Sequence, residues 1–311
     1  MNICMCLINI RYLVNIQLKM IKPKFLSSLR TPNEAVSVNY IETAHFTNPL
    51  HYHKELELAY IIEGYGTRYV GSSIKSYKKG DLVLVGEELT HVWISHDDFY
   101  QENTKQLTKA IVVKFNTDFA GKDLLNLRES HGLRKVFYDA LGGVRVKGEE
   151  NRVIAIILHE MLHQSSFNQI LSLLRILSIM SESKNAYILS PFDHHKSSDP
   201  KEKDRMNKII QFTMLHFRRK IRLEEIAEVA NLSKSAFCRY FKNTVKKSYN
   251  DFLFEVRVQY ACKILLEEKL SMIQVCYDSG FNNPSAFSQI FKRIKGISPS
   301  QYRKQNRITR V

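Results

Sequence analysis

From about Val36 to Phe115 apolar and polar positions alternate in short runs, LELAYII, TRYVG, DLVLVG and AIVVKF, separated by Gly, Asp, Asn and Lys clusters. A period of two in β-branched and aromatic residues predicts strands that each bury one face, and their regular spacing predicts an antiparallel barrel or sandwich. After Phe115 the period lengthens. Leu133, Val136, Phe137 and Leu141 share one helical face, and GGVRV reads as a strand returning to the sheet. Two longer helices are then predicted, at about 149–163 and 167–181. Ile154, Ile157, Leu158, Met161 and Leu162 stripe the first, and the second is apolar nearly all round. Such helices must pack on something, either the barrel or a second copy of the chain.

Further along, one pattern occurs twice. Residues 226–252 align with 275–302 at an offset of 49 before a turn, pairing Ile226 with Val275, Ala227 with Cys276 and Leu232 with Phe281. After the turn the offset is 50, pairing Phe237 with Phe287, Phe241 with Phe291, Lys242 with Lys292 and Ser248 with Ser298. One structural unit is therefore present in two copies. Each copy opens with a short helix carrying apolar residues at 0, 3, 4 and 7: Leu223, Ile226, Ala227 and Ala230, then Met272, Val275 and Cys276 with Ser279. Ser271 with Gln274 forms a capping box, and Gly280 supplies the left-handed residue that ends the helix, with Asn231 in its place in the first copy. Ser233, and Asn283 followed by Pro284, start the next helix. Helix, tight turn, helix is the geometry that offers its second member to a DNA major groove.

That second helix has two faces. In the first copy Phe237, Phe241 and Val245 form the buried one, while Ser235, Cys238, Arg239, Lys242 and Lys246 fall on the other. In the second copy Phe287, Ile290, Phe291 and Ile294 are opposed by Ser285, Ser288, Gln289, Lys292 and Lys295. A charged stripe on one helix is ordinarily a solvated face, but the same order of short polar residues followed by cations occurs twice. Short donors near a helix N-terminus approach base edges, and cations one or two turns later meet phosphates. Between the copies, Phe252, Val256, Tyr260 and Ile264 recur every four residues and predict one long connecting helix.

Charge points the same way. The chain carries +15 overall, of which residues 205–311 supply +13, with 21 Lys/Arg against 8 Asp/Glu. A polyanion is therefore met by the C-terminal third. At 311 residues and 44% hydrophobic content two cores are expected. Cys4, Cys6, Cys238, Cys262 and Cys276 show neither a CxxC pair nor a disulfide framework, which favours a reducing, cytoplasmic setting. The apolar start MNICMCLINIRYLVNIQLKM is interrupted by Asn9 and Arg11 and is read as neither signal peptide nor anchor. Residues 1–19 are read instead as an over-extended reading frame ahead of a start at Met20, or as a disordered tail. No Ser-His-Asp set, P-loop or dinucleotide fingerprint supports an enzyme class.

The run Gly280, Phe281, Ser285, Phe287, Phe291, Lys292, Gly296, Pro299, Tyr302 and Arg303 resembles the second unit of AraC/XylS-type transcription regulators, and the resemblance spans about 205–305. It implies a seven-helix module whose two recognition helices enter successive major grooves. By position it makes Ser235, Cys238, Arg239, Ser285, Ser288 and Gln289 the base readers, with Lys242, Lys246, Lys292, Arg293, Lys295 and Arg303 on phosphates. Gln289 stands where arginine is commonest, Ala286 where an aromatic is usual and Lys246 where the first unit often has glycine. These departures bear on the target sequence.

His51, His53, Glu57 and Gly64, followed by Gly80 and His91, are similar to the cupin pattern, whose metal ligands occupy the positions of the three histidines and Glu57. Imidazole and carboxylate suit Zn, Fe, Ni or Mn. The second half of the pattern is imperfect, with Gly86 and Glu88 in place of proline and glycine. The sensor barrels of AraC-type regulators usually work without metal, so no cofactor and no metal are expected. An effector pocket is expected from His51, His53, Glu57, Tyr60, Tyr69, His91 and Trp93, although the three aromatic residues also suit plain core packing.

The chain is thus expected to be a two-domain α+β protein: a cupin-like antiparallel β-barrel with C-terminal helices, then an all-α double helix-turn-helix domain. The expected divisions are an N-terminal extension at 1–33, a sensor and dimerisation domain at 34–190, a linker at 191–204, the DNA-binding domain at 205–305 and a basic tail at 306–311. Expected partners are double-stranded DNA, a small-molecule effector, a second copy and, for an activator, RNA polymerase; no membrane is expected. The competing expectation is a metal-dependent cupin enzyme fused to a DNA-binding module.

Overall fold

The computed structural model describes residues 24–25, 34–100, 106–190, 200–265 and 270–308. The chain divides into two compact units, Met1–Pro191 and Phe192–Val311. The start-site and anchor readings of the first twenty residues, and 191–199 of the expected linker, lie outside the described residues.

In the first unit the alternating runs form strands β1 (Lys24–Phe25), β2 (Val36–Thr43), β3 (His51–Tyr52), β4 (Leu56–Glu63), β5 (Gly66–Val70), β6 (Ser73–Tyr77), β7 (Leu82–Val85), β8 (His91–Ser95) and β9 (Thr108–Phe115). Two short strands follow, β10 (Val144–Val146) and β11 (Ala186–Ile188). They make two sheets, ordered β1-β3-β8-β5-β6 and β11-β10-β7-β4-β9-β2. Pairing is antiparallel except between β1 and β3. The expected closed barrel is corrected to two facing sheets, since no ladder joins them among the described residues. Their outer strands end the ladders with exposed polar groups, Lys75 and Ser76 on β6 and Asn39 on β2, which resist further pairing.

Strand alternation divides the core in two. Ala59, Ile61, Val83, Val85, Ala110 and Val112 of the larger sheet meet Val70, Tyr77 and Trp93 of the smaller one. Leu56, Leu58, Leu82, Leu84, Ile111, Val113 and Phe115 point the opposite way, into a core completed by helices α1 (His131–Ala140), α2 (Gly148–Met161) and α3 (Ser166–Glu182). Both faces of β7 are buried, which is why LVLV reads as a continuous apolar run. The two longer helices therefore cover the sheet with Ile154, Ile157, Leu158, Met161, Leu173, Ile176, Leu177 and Met180.

The second unit is helical: α4 (Pro200–His216), α5 (Leu223–Val229), α6 (Lys234–Val245), α7 (Tyr249–Ile264), α8 (Met272–Asp278), α9 (Pro284–Lys295) and α10 (Pro299–Ile308). The helix α4 begins inside the segment expected as linker. Proline suits a first helical turn because its missing N–H would have no intrahelical partner there. Phe237, Phe241, Tyr249 and Phe252 pack ring against ring in the first half. Val258, Ala261, Cys262, Leu265, Val275, Cys276, Phe281, Phe287 and Phe291 form the core of the second half. Buried Arg257 donates to the carbonyls of Phe217 (2.8 Å) and Arg219 (2.9 Å), satisfying backbone acceptors just past the end of α4. No described helix is long and apolar enough to cross a membrane.

Candidate functional site

The two copies of the repeat are built alike down to the turn. Asn231 (φ 52°) and Gly280 (φ 83°) both take the left-handed conformation after the first helix. The next amide donates back in the same way in each copy, Leu232 to the Ala227 carbonyl at 2.9 Å and Phe281 to that of Cys276 at 3.1 Å. Glycine is doubly required in the second copy, because a Cβ on Gly280 would lie 2.4 Å from the Phe217 carbonyl oxygen. The capping box of Ser271 and Gln274 starts α8. Ser233 accepts from the Ala236 amide to start α6, and Asn283 accepts from those of Ser285 (2.8 Å) and Ala286 (3.1 Å) to start α9.

These caps fix which face of each second helix looks outward. Phe237, Phe241 and Val245 of α6 are buried, as are Phe287 and Phe291 of α9, with Ile290 and Ile294 packed partly against them. Ser235, Cys238, Arg239 and Lys242 are exposed on α6, and Ser285, Ser288, Gln289, Lys292 and Arg293 on α9. Arg239 and Gln289 thus occupy equivalent exposed places.

Three cations sit otherwise than the helical spacing suggested. Lys246 is not on the α6 face; it is the left-handed residue that ends the helix (φ 59°), equivalent to Gly296 (φ 80°) after α9. Lys295 is half-buried and donates to Gln259 at 2.9 Å. Arg303 donates to the carbonyls of Leu265 (2.9 Å) and Leu270 (2.8 Å), so its guanidinium satisfies backbone acceptors on either side of 266–269. Arg293 is exposed and paired with Asp251 at 3.1 Å.

In the first unit the structure brings His51, His53, Glu57 and His91 together, all buried, with one candidate ligand atom from each within 4.8 Å of the others. They come from β3, the turn after it, β4 and β8. Each imidazole places Nδ1 against a carbonyl oxygen two residues away: His51 on Pro49 (2.8 Å), His53 on Glu55 (2.9 Å) and His91 on Leu89 (2.6 Å). A carbonyl only accepts, so each Nδ1 is the donor; the hydrogen bond between His53 Nε2 and the Glu57 carboxylate requires a further proton between those two atoms. His53 Nε2 lies 3.0 Å from Glu57 Oε2, and His91 Nε2 lies 3.8 Å from Oε1. Lys114 Nζ approaches Oε2 to 3.2 Å. Burial, with the neighbouring His91, pushes His51 down to about 3. Burial acts to raise Glu57, but the His53 and His91 imidazoles and the Lys114 charge outweigh it and hold the carboxyl well below its usual range.

Tyr60 and Tyr69 are corrections to the expected pocket. Tyr60 is one residue out of phase with Ala59 and Ile61 on β4 and packs in the helix-covered core, its ring 6.2 Å from that of His159. Tyr69 pairs with Val92, whereas Arg68 pairs with Trp93 and Val70 with His91, so the pleat turns it to the opposite face from His91 and Trp93. Trp93 itself is buried between the sheets, its ring 6.0 Å from that of His91. Sequence reasoning missed Arg68, wholly buried and bonded to Asp81. Its signal was the period of two, which puts it in phase with Val70.

A helix-turn-helix domain family matches residues 226–305. The Msm operon regulatory protein of Streptococcus mutans is 24% identical over 246 residues, covering 79% of this chain and 83% of that protein. The transcriptional activator RhaR of Escherichia coli is 24% identical over 293 residues, covering 93% and 98%. Among solved structures, the DNA-binding domain of AdpA in complex with a target DNA is 27% identical, covers 33% of this chain and 92% of that one, and gives a TM-score of 0.31. With the domain match lying on the duplicated unit and the relatives named as regulators, this chain is a DNA-binding transcription regulator whose C-terminal unit is a helix-turn-helix domain similar to those of AraC/XylS-type regulators.

Proposed function

We propose that α6 and α9 enter successive major grooves on one face of the duplex. Ser235, Cys238 and Arg239 read one half-site and Ser285, Ser288 and Gln289 the other. Lys242, Lys246, Lys292, Arg293 and Lys295 approach the flanking phosphates, the Arg293–Asp251 pair and the Lys295–Gln259 bond exchanging for phosphate contacts. The observation that carries this reading is the equivalence of the exposed faces: side-chain N-caps and left-handed C-caps at matching positions, buried phenylalanines at matching positions and the same order of short polar residues before cations. The first unit senses a small effector in the cytoplasm, without catalysis, and pairs two chains through the exposed sides of α2 and α3. An activator would also contact RNA polymerase. Titrating the full chain against a DNA site selected from a random library tests the reading. Wild type should discriminate that site from a scrambled one, and the Arg239→Ala, Gln289→Ala double variant should bind both alike. A double variant that still discriminates would refute the assigned reading faces.

A second reading is favoured by one observation: three buried imidazoles and a carboxylate bring one candidate ligand atom each within 4.8 Å of the others. Such a donor set suits a divalent transition metal, and the Nδ1–carbonyl bonds are of the kind that orient metal-bound imidazoles. His51, His53, Glu57 and His91 would hold the ion, which would supply a Lewis-acidic position for an effector. Metal analysis of the purified full chain tests it. Near-stoichiometric metal, lost in the His51→Ala, His53→Ala double variant, supports the reading; a metal-free wild type that binds none on addition ends it.

A further inference from the structure

We infer that the space between the two sheets takes a small carboxylate, held by Arg68 and Trp93. This rests on the reading of the first unit as an effector sensor and names the chemistry that the effector carries.

Arg68 is 0% exposed and lies on the face of β5 that looks toward the larger sheet. Its Nη1 donates to Asp81 Oδ2, and Asp81 Oδ1 is 2.7 Å from Arg145 Nε. Two guanidinium groups therefore share one carboxylate, Arg68 and Asp81 buried and Arg145 partly exposed, and the trio keeps a net positive charge. The remaining Arg68 donors, Nε and Nη2, are buried with no hydrogen-bond partner, and so is the indole Nε1 of Trp93. Trp93 is the residue directly opposite Arg68 in the β5–β8 ladder, and paired residues share a face.

The identity of the open atoms selects the ligand. Nη1 is used, and Nε with Nη2 is the side-on edge of the guanidinium, two parallel N–H groups that match the two oxygens of a carboxylate. Trp93 Nε1, on the residue that pairs with Arg68, is a third open donor and offers no acceptor. Three donors and a surplus positive charge fit an oxyanion; Tyr77 Oη and His91 Nε2 are open as well and could serve a hydroxyl, so it is the charge that selects the acid. The His51, His53, Glu57 and His91 cluster adjoins this group through Val70, which pairs with His91, so a bound acid would lie near the metal-type donors.

Trp93 is the only tryptophan of the chain, so its emission reports on this place alone. The full chain is titrated with formate, acetate and propionate at constant ionic strength, then with formamide, acetamide and propionamide, with inorganic phosphate and with glycerol. A saturable change in emission and a raised Tm are expected with at least one carboxylate and with no amide. Arg68→Lys, which keeps the Asp81 pair but not the fork, should weaken the response at least tenfold. The carboxylate-versus-amide comparison decides the matter even where that variant fails to fold. An equal response to acid and amide, a response to phosphate or glycerol alone, or none at all would overturn the inference. DNA binding by the same preparation is measured in parallel. Intact DNA binding with a glycerol response alone leaves the sensor reading in place and removes only the carboxylate; lost DNA binding marks failure of the regulator reading itself.

Discussion

Arg239 and Gln289 occupy equivalent exposed positions on two helices capped at matching positions, yet they offer different hydrogen-bonding edges. Arginine pairs best with guanine O6 and N7, glutamine with adenine N6 and N7. Arg239→Ala should cost about 1–3 kcal/mol and relax preference at one base pair. Gln289→Arg should shift the second half-site from adenine toward guanine; an unchanged preference in a selection experiment would refute the assignment. Lys246 offers a different test, because a lysine at φ 59° bears a left-handed conformation that glycine adopts freely. Lys246→Gly should stabilise the fold by about 1 kcal/mol, visible as a higher Tm, while weakening all DNA sequences alike. A lower Tm would show that contacts of the lysine side chain outweigh the backbone gain. At this scale the helical faces of α6 and α9 were legible because exposure follows a period of 3.6 with phenylalanine anchors. The pocket was less so: Tyr60 and Tyr69 are aromatic residues close to the histidines in sequence, but the pleat sends them to the other side of their sheets, and only strand phase reveals it.

At the level of elements, the caps were readable from single residues. Ser271, Asn283 and the left-handed Asn231 and Gly280 stand where their side-chain chemistry or lack of one requires. Removing a serine cap costs typically about 1 kcal/mol, so Ser271→Ala should lower the stability of the C-terminal unit by that order in denaturant unfolding. No change would mean that the box contributes nothing to α8. Sheet closure was not readable, because alternation specifies which face of a strand is buried but not where a ladder ends. The helix α4 starts at Pro200 within a charged stretch that lacks apolar period, so no periodicity marks its start. The helices α2 and α3 satisfy the sheet with one side and leave Ile156 (59% exposed), Phe167 (68%) and Leu171 (50%) on the other. Phe167 and Leu171 are one turn apart, which suits a two-fold helical contact. Sedimentation of the full chain should give a dimer at micromolar concentration, and Phe167→Glu with Leu171→Glu should shift it to monomer. A wild-type monomer would remove this role from the helices.

Across the whole molecule, the charge is partitioned: +13 of the net +15 lies in residues 205–311. Phosphate neutralisation releases counterions, so affinity should fall steeply with salt, and Lys292→Ala should reduce the logarithmic salt slope by roughly one. An affinity that stays flat between low and moderate salt would contradict a phosphate-dominated contact. The duplicated unit was the most legible feature of the chain, because the repeat is carried by anchors, caps and turn residues together. The central claim is that both copies read DNA, and the most direct measurement is selection of bound sequences by the full chain from a random library. Each recovered site should contain two unlike elements in direct orientation, centred about 10 base pairs apart along one face of the duplex. A single enriched element per chain, with no second element at that spacing, would contradict the account.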